Sequence, residues 1–229
     1  MPDGFTAMPD GCAALNVGIR PKGLSIDLSG PTTRPCIIGG HTNQFDMVVG
    51  IDFQPGGLYA LTGIGQSELT DRTYDLGAVN AALSKQIAEA VESSGSVCAL
   101  VARLDTLLLE NLYTTCHVQL KPMFQHILAS SGNITTKALS GRVHYSERQL
   151  NRIFQENVGL SAKSFSRLVR MYGAFRLLKK PQYSLTLVSD MAGYYDLSHF
   201  VRDFCLVCGV PPQEYRDNMS AFYTNTAKY

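Results

Sequence analysis

The sequence predicts an α+β protein: an N-terminal antiparallel β-sheet or partial barrel with helices, then an all-α C-terminal domain built as a double helix-turn-helix. Three observations predict it. Short β-branched-rich runs fill residues 12–54, separated by Gly, Pro and Asn, which is the pattern of strands and turns. From Ala78 onward the apolar spacing becomes helical. The charge also divides. Residues 1–117 hold 6 Lys+Arg against 12 Asp+Glu, a balance of −6, and residues 118–229 hold 14 against 7, a balance of +7. A basic half joined to an acidic half is the footprint of a nucleic-acid-binding module fused to something else. We therefore expect two domains, at 1–117 and 118–229, the second of them the nucleic-acid-binding one.

In chain order, CAALNVGI, GLSIDLSG, PCIIGG and FDMVVGIDF read as four strands, with Gly39-Gly40 and Asn43 at the tightest turns. Pro55-Gly56-Gly57 breaks the pattern and LYALTGIG opens a short helical turn. Leu69 to Leu76 reads as loop, with Asp71, Arg72 and Asp75 exposed. NAALSKQIAEAV is amphipathic, with Leu83, Ile87 and Val91 at four-residue intervals, and Ser93-Ser94-Gly95 ends it. Val97 to Tyr113 is a more apolar helix, which is expected to be buried or paired with a partner. The domain boundary falls near Thr114 to Lys121, and Pro122 is expected to be the first residue of the next helix.

The C-terminal domain carries the chemistry. Ser146-Glu147-Arg148-Gln149 is a capping box that opens one helix, and Asp196 caps another, LSHFVRDF. Leu150, Ile153 and Phe154 form the core stripe of the first, and Phe200, Phe204 and Val207 that of the second. The opposite faces present Arg148, Asn151, Arg152 and Gln155 on one helix and Ser198, His199 and Arg202 on the other. These fork- and amide-type side chains are the ones that pair with base edges in a major groove. The bland alternative for each is a solvated helix face. Between the two units, Ser161 to Lys180 reads as one helix roughly 30 Å long at about 1.5 Å per residue. That is close to the 34 Å or so of one duplex turn.

These residues resemble the DNA-binding domain of the AraC/XylS family of bacterial transcription regulators. The resemblance lies in S-x-R-x-L-x-R-x-F at Ser146 to Phe154, Gly159 and Ser161, G-Y-x-D-x-S-H-F-x-R-x-F at Gly193 to Phe204, and G-V-x-P-x-x-Y-R at Gly209 to Arg216. Ala162 stands where that family usually has proline, Ser189 where it has a small apolar residue, and Cys208 where it has phenylalanine. The last is expected to weaken the second unit's small core. The resemblance implies a sequence-specific regulator with double-stranded DNA as partner. A small-molecule effector held by the N-terminal sheet and its helical lid, RNA polymerase and a second copy of the chain are the further partners expected. More faintly, PDGCAALNV, G-P-x-T-R-P at Gly30 to Pro35, D-F-Q-P-G-G at Asp52 to Gly57 and E-L-T-D-R at Glu68 to Arg72 resemble an uncharacterised domain often found ahead of AraC-type domains. Members of that family begin with a further strand and helix, so those opening elements are expected to be missing here.

Other chemistry finds little support. Cys205-x-x-Cys208 provides two cysteines where a structural zinc needs four ligands, and His199 and Asp203 are read as lying on different helix faces. The pair also sits late in a helix, away from the helix start of a redox motif. No G-x-G-x-x-G, G-x-x-x-x-G-K-[ST], G-x-S-x-G or H-E-x-x-H spacing occurs. We expect no enzyme, no cofactor and no metal. No run of 18 apolar residues occurs, and six scattered cysteines point to a reducing cytoplasm. Lys163, Arg167 and Arg170 on the connecting helix are expected to add non-specific attraction for DNA. An alternative makes the N-terminal half the working part, a small-molecule-binding module for which the DNA-binding domain is only an address.

Overall fold

The computed structural model describes residues 5–21, 23–38, 45–113 and 117–218. Strands β1 (Phe5–Ala7), β2 (Ala14–Arg20), β3 (Gly23–Ser29), β4 (Cys36–Ile38) and β5 (Met47–Asp52) lead into helices α1 (Gly57–Thr62) and α2 (Gln66–Leu69). Strand β6 (Thr73–Asp75) and helices α3 (Leu76–Val79), α4 (Ala81–Ser93) and α5 (Val97–Glu110) follow. The four-stranded sheet is antiparallel with the order β5-β2-β3-β6. Its register places apolar residues opposite one another: Leu15 faces Leu28 and Ile51, and Val17 faces Ile26 and Val49. Alternation along each strand thus lines one face of the sheet. Leu58, Leu61, Leu69, Leu76, Leu83, Ile87, Leu100 and Leu104 cover that face and complete the first core.

Several sequence expectations change here. β4 pairs with β1 in a separate two-stranded ribbon, so the fourth strand of the main sheet is β6. That strand lies inside the stretch read as loop. It is three residues long and takes its order from pairing with β3, a tertiary contact that local pattern does not reveal. Asp71, Arg72 and Asp75 are exposed as expected. β1 precedes the Pro9-Asp10-Gly11 turn and lies ahead of the first strand that the sequence pattern predicts. The Gly39-Gly40 and Asn43 turns lie outside the described residues. On α5, Leu100 and Leu104 are buried, while Val97, Val101 and Leu109 stay exposed, so this helix packs by one narrow stripe.

The C-terminal helices are α6 (His117–Ala129), α7 (Thr136–Val143), α8 (Glu147–Val158), α9 (Ala162–Leu178), α10 (Leu185–Met191), α11 (Leu197–Cys208) and α12 (Pro212–Asp217). Pro122 lies inside α6 and does not open it, because the helix starts five residues earlier. The ring there removes one backbone hydrogen bond. α9 is the axle of this half. Phe124, Phe154 and Phe165 pack around its first turns with ring centroids 5.2–5.8 Å apart. Phe175 near its end meets Phe204 edge-on at 5.5 Å and stacks on Tyr215 at 5.2 Å. Each helix pair thus has its own aromatic cluster, and one helix serves both.

Candidate nucleic-acid interface

In the first unit α7 is capped by Thr135, whose side chain accepts from the Ala138 amide, and it ends at His144 in the left-handed region (φ 56°). The Ser140 hydroxyl donates to the Tyr145 carbonyl (2.6 Å), closing the turn. The capping box forms as expected. Ser146 Oγ accepts from the Gln149 amide (3.2 Å), and Gln149 Oε1 accepts from the Ser146 amide (3.0 Å). Two otherwise orphaned donors are satisfied, so Ser146→Ala should lower stability by about 1 kcal/mol in a urea titration. An unchanged midpoint would mean the cap contributes nothing.

Leu150, Ile153, Phe154 and Val158 of α8 are buried. On the other face Arg148, Arg152 and Gln155 are exposed and Asn151 is half-buried. Asn151 differs from its neighbours, since its Oδ1 accepts from the Ala162 amide (3.3 Å) at the start of α9. Ser161 caps that helix, and Asn151 adds a second acceptor at its start. Asn151 therefore ties α8 to α9, and its carbonyl oxygen is already engaged.

The second unit repeats the plan. Ser184 caps α10, and Gly193 turns the chain at φ 78°. A side chain at Gly193 would collide with Asn133, whose Nδ2 donates to the Ala192 carbonyl (3.2 Å). Asp196 accepts from the His199 amide (2.6 Å) and opens α11. Ser189, which stands where the resembled family has an apolar residue, is fully buried and donates to the Asp196 carbonyl (3.0 Å). Ser198 and Arg202 are exposed, and the His199 side chain is 40% exposed with its ring edge-on to Tyr194 at 5.2 Å.

Asp203 is buried and gathers three basic side chains around its carboxylate. It does not lie on a different face from His199: the two are four residues apart, and Nε2 of His199 stands 3.9 Å from its carboxylate. Arg170 Nη2 donates to it at 3.1 Å, and Arg167 Nε lies 3.5 Å away. Arg170 also lies over the Tyr194 ring at 4.5 Å. Arg167 and Arg170 thus face the second helix of the second unit, which corrects their assignment to non-specific DNA attraction. Lys163 is exposed. The i,i+4 spacing of His199 and Asp203 could have signalled the contact. The arginines are more than 30 residues away, and nothing local announces them.

Cys205 is half-buried and Cys208 is buried beside Phe204, Val207 and Tyr215, and both are free thiols. Burial, and then the neighbouring Cys205, push the Cys208 thiol well above its usual range. Its place in the core and its suppressed thiolate fit packing. Among the described residues no group of three or more His, Cys, Asp or Glu could hold a metal ion. No described helix is long and apolar enough to cross a membrane.

Residues 139–218 match a family model described as a helix-turn-helix domain. The uncharacterized HTH-type transcriptional regulator YobQ of Bacillus subtilis is 31% identical over 86 residues, which cover 38% of this chain and 36% of that protein. The lactose operon transcription activator of Staphylococcus xylosus is 28% identical over 88 residues, 38% of this chain and 32% of that protein. The matches thus span about a third of these relatives' own lengths. In structure, ToxT from Vibrio cholerae is similar along 95% of both chains, with a TM-score of 0.50 and 10% identity. That likeness extends the shared fold to the N-terminal half. The C-terminal part of the chain thus carries a helix-turn-helix domain.

Proposed function

We propose that this chain is a sequence-specific transcription regulator that inserts α8 and α11 into successive major grooves of double-stranded DNA. One observation carries the reading. Two helices, opened by a capping box at Ser146 and by Asp196, turn polar faces outward and belong to two units joined by a single helix of 17 residues. That helix is about 26 Å long at about 1.5 Å per residue, shorter than the sequence implied and still of the order of one duplex turn. Arg148, Arg152 and Gln155 read one groove, and Ser198, His199 and Arg202 the other. Asn151 contributes through its amide nitrogen while its oxygen holds α9.

Arg152→Ala should relax base preference at one operator position, a loss of about 1–3 kcal/mol of discrimination, read by competition between single-base variants. Equal weakening on every sequence would make Arg152 a phosphate contact instead. Residues 1–117 form the regulatory part and 118–229 the DNA-binding part. The separate core beneath the β5-β2-β3-β6 sheet supports effector control. An effector would act by its differential affinity for DNA-competent and incompetent states. RNA polymerase and a second copy of the chain are the remaining partners of this reading.

A further inference from the structure

α8 and α11 both end on a left-handed glycine, Gly159 (φ 78°) and Gly209 (φ 74°). Both glycines face the same short run of the N-terminal half. A Cβ on Gly159 would stand 2.8 Å from Pro31 Cγ, 2.8 Å from the Gln66 carbonyl oxygen and 2.6 Å from Thr70 Oγ1. A Cβ on Gly209 would stand 3.8 Å from Pro35 Cγ. The Thr70 hydroxyl lies within hydrogen-bond reach of the carbonyls of Gln66 (3.0 Å) and Gly159 (3.1 Å). One turn back along α8, the Tyr59 hydroxyl donates to Glu156 (3.3 Å).

We infer that the Gly30 to Pro35 run is a strut that fixes the mutual setting of the two reading helices by their C-terminal ends. This positioning role rests on the base-reading proposal above. The run is short and stiff: Pro31 to Pro35 reaches about 14 Å at most, and a proline fixes φ at each end. It is also anchored. The Asp71 carboxylate accepts from the Thr33 amide (2.7 Å) and the Thr33 hydroxyl. The Asp71 amide donates to the Pro31 carbonyl (3.0 Å), and the Gly30 amide to the Arg72 carbonyl (2.9 Å). Asp71 adopts φ 57° to do this, a conformation that costs a non-glycine residue energy and that the surrounding bonds enforce.

The geometry divides the labour. α9 sets how far apart the two units lie, and the strut removes the twist that a single connecting rod leaves free. The strut is also the connection from β3 to β4, so a displacement of the sheet reaches both reading helices at once. Two of the sequence runs that the base-reading role left unused, Gly30 to Pro35 and Glu68 to Arg72, are the two halves of this device.

The test uses the full-length chain and a duplex it selects from a random pool, with one or two base pairs then inserted or removed between the half-sites. The wild type should prefer one spacing by about tenfold, the scale of a single mismatched base pair. Thr33→Val, which loses the hydroxyl bond to Asp71, should cut that preference to about threefold or less, since a hydrogen bond contributes roughly a factor of five. Thr33→Ser should restore it. If Thr33→Val does not fold, Pro35→Ser serves in its place, because it leaves the Asp71 pairing intact and removes the ring that stands opposite Gly209. Spacing preference equal to wild type in the folded variant overturns the strut, and so does a wild type that tolerates every spacing. A wild type that enriches no duplex at all removes the base-reading proposal itself, and the strut falls with it.

Discussion

Phe204→Ala is expected to lower the stability of the C-terminal half by about 3–5 kcal/mol. Phe204 is fully buried in α11 and touches three other rings, Phe175 at 5.5 Å, Phe200 at 5.6 Å and Tyr215 at 5.4 Å, all near edge-on. Truncation removes the transfer free energy of the ring and leaves a cavity between α9, α11 and α12, whose lining cannot collapse without moving a helix. The lost edge-to-face contacts add about 0.5–1.5 kcal/mol each at most. Domains hold about 5–15 kcal/mol in total, so the substitution should remove a large share of the stability of this half. Urea titration followed by far-ultraviolet circular dichroism measures this, and a loss below about 1 kcal/mol would show that the second unit does not depend on this cluster. The burial of Tyr215 in the same place pushes its phenol up to about 12, so the cluster stays uncharged through the neutral range.

Asp203→Ala is expected to cost about 2–4 kcal/mol. Removing one member of a buried ion pair leaves the others desolvated and unmatched, worth about 3–5 kcal/mol when burial is complete. The figure is reduced here because Arg167 and Arg170 keep 27% and 19% of their side chains in contact with solvent. Surface pairs contribute far less, about 0–1 kcal/mol, and Asp203 at 10% exposure is not one of them. Replacing Asp203, Arg167 and Arg170 together by apolar residues should cost less than Asp203→Ala alone, because no orphaned charge is left. Denaturation midpoints of the single and triple variants decide the matter. A single variant as stable as wild type would reduce the network to a surface ornament. The same substitution frees His199 and loosens α11 against α9, so DNA affinity should fall along with stability.

The helices of the C-terminal half were legible because their signals are local. Ser146 with Gln149, Asp196, and the stripes of Leu150, Ile153, Phe154, Phe200, Phe204 and Val207 all act within one or two turns. The outward placement of Arg148, Arg152, Gln155, Ser198 and Arg202 follows from the same periodicity. What escaped depends on distant partners. β6 is a strand because β3 lies beside it, and Asp203 matters because α9 brings two arginines to it. The partial engagement of Asn151 depends on how sharply α8 turns into α9. The strut joins residues more than 120 positions apart, which no spacing rule connects. Pro122 misled for a different reason: a proline marks a helix start only on average, and α6 accommodates it internally.

The most direct test of two heads on one axle is the shape of the preferred site. Full-length protein, selecting from random duplexes at a stated salt concentration, should enrich two conserved blocks with centres about 10–10.5 base pairs apart. One block should lose definition with Arg152→Ala and the other with Arg202→Ala. A single block that responds to both substitutions would contradict this account, as would binding that falls with salt yet shows no sequence preference.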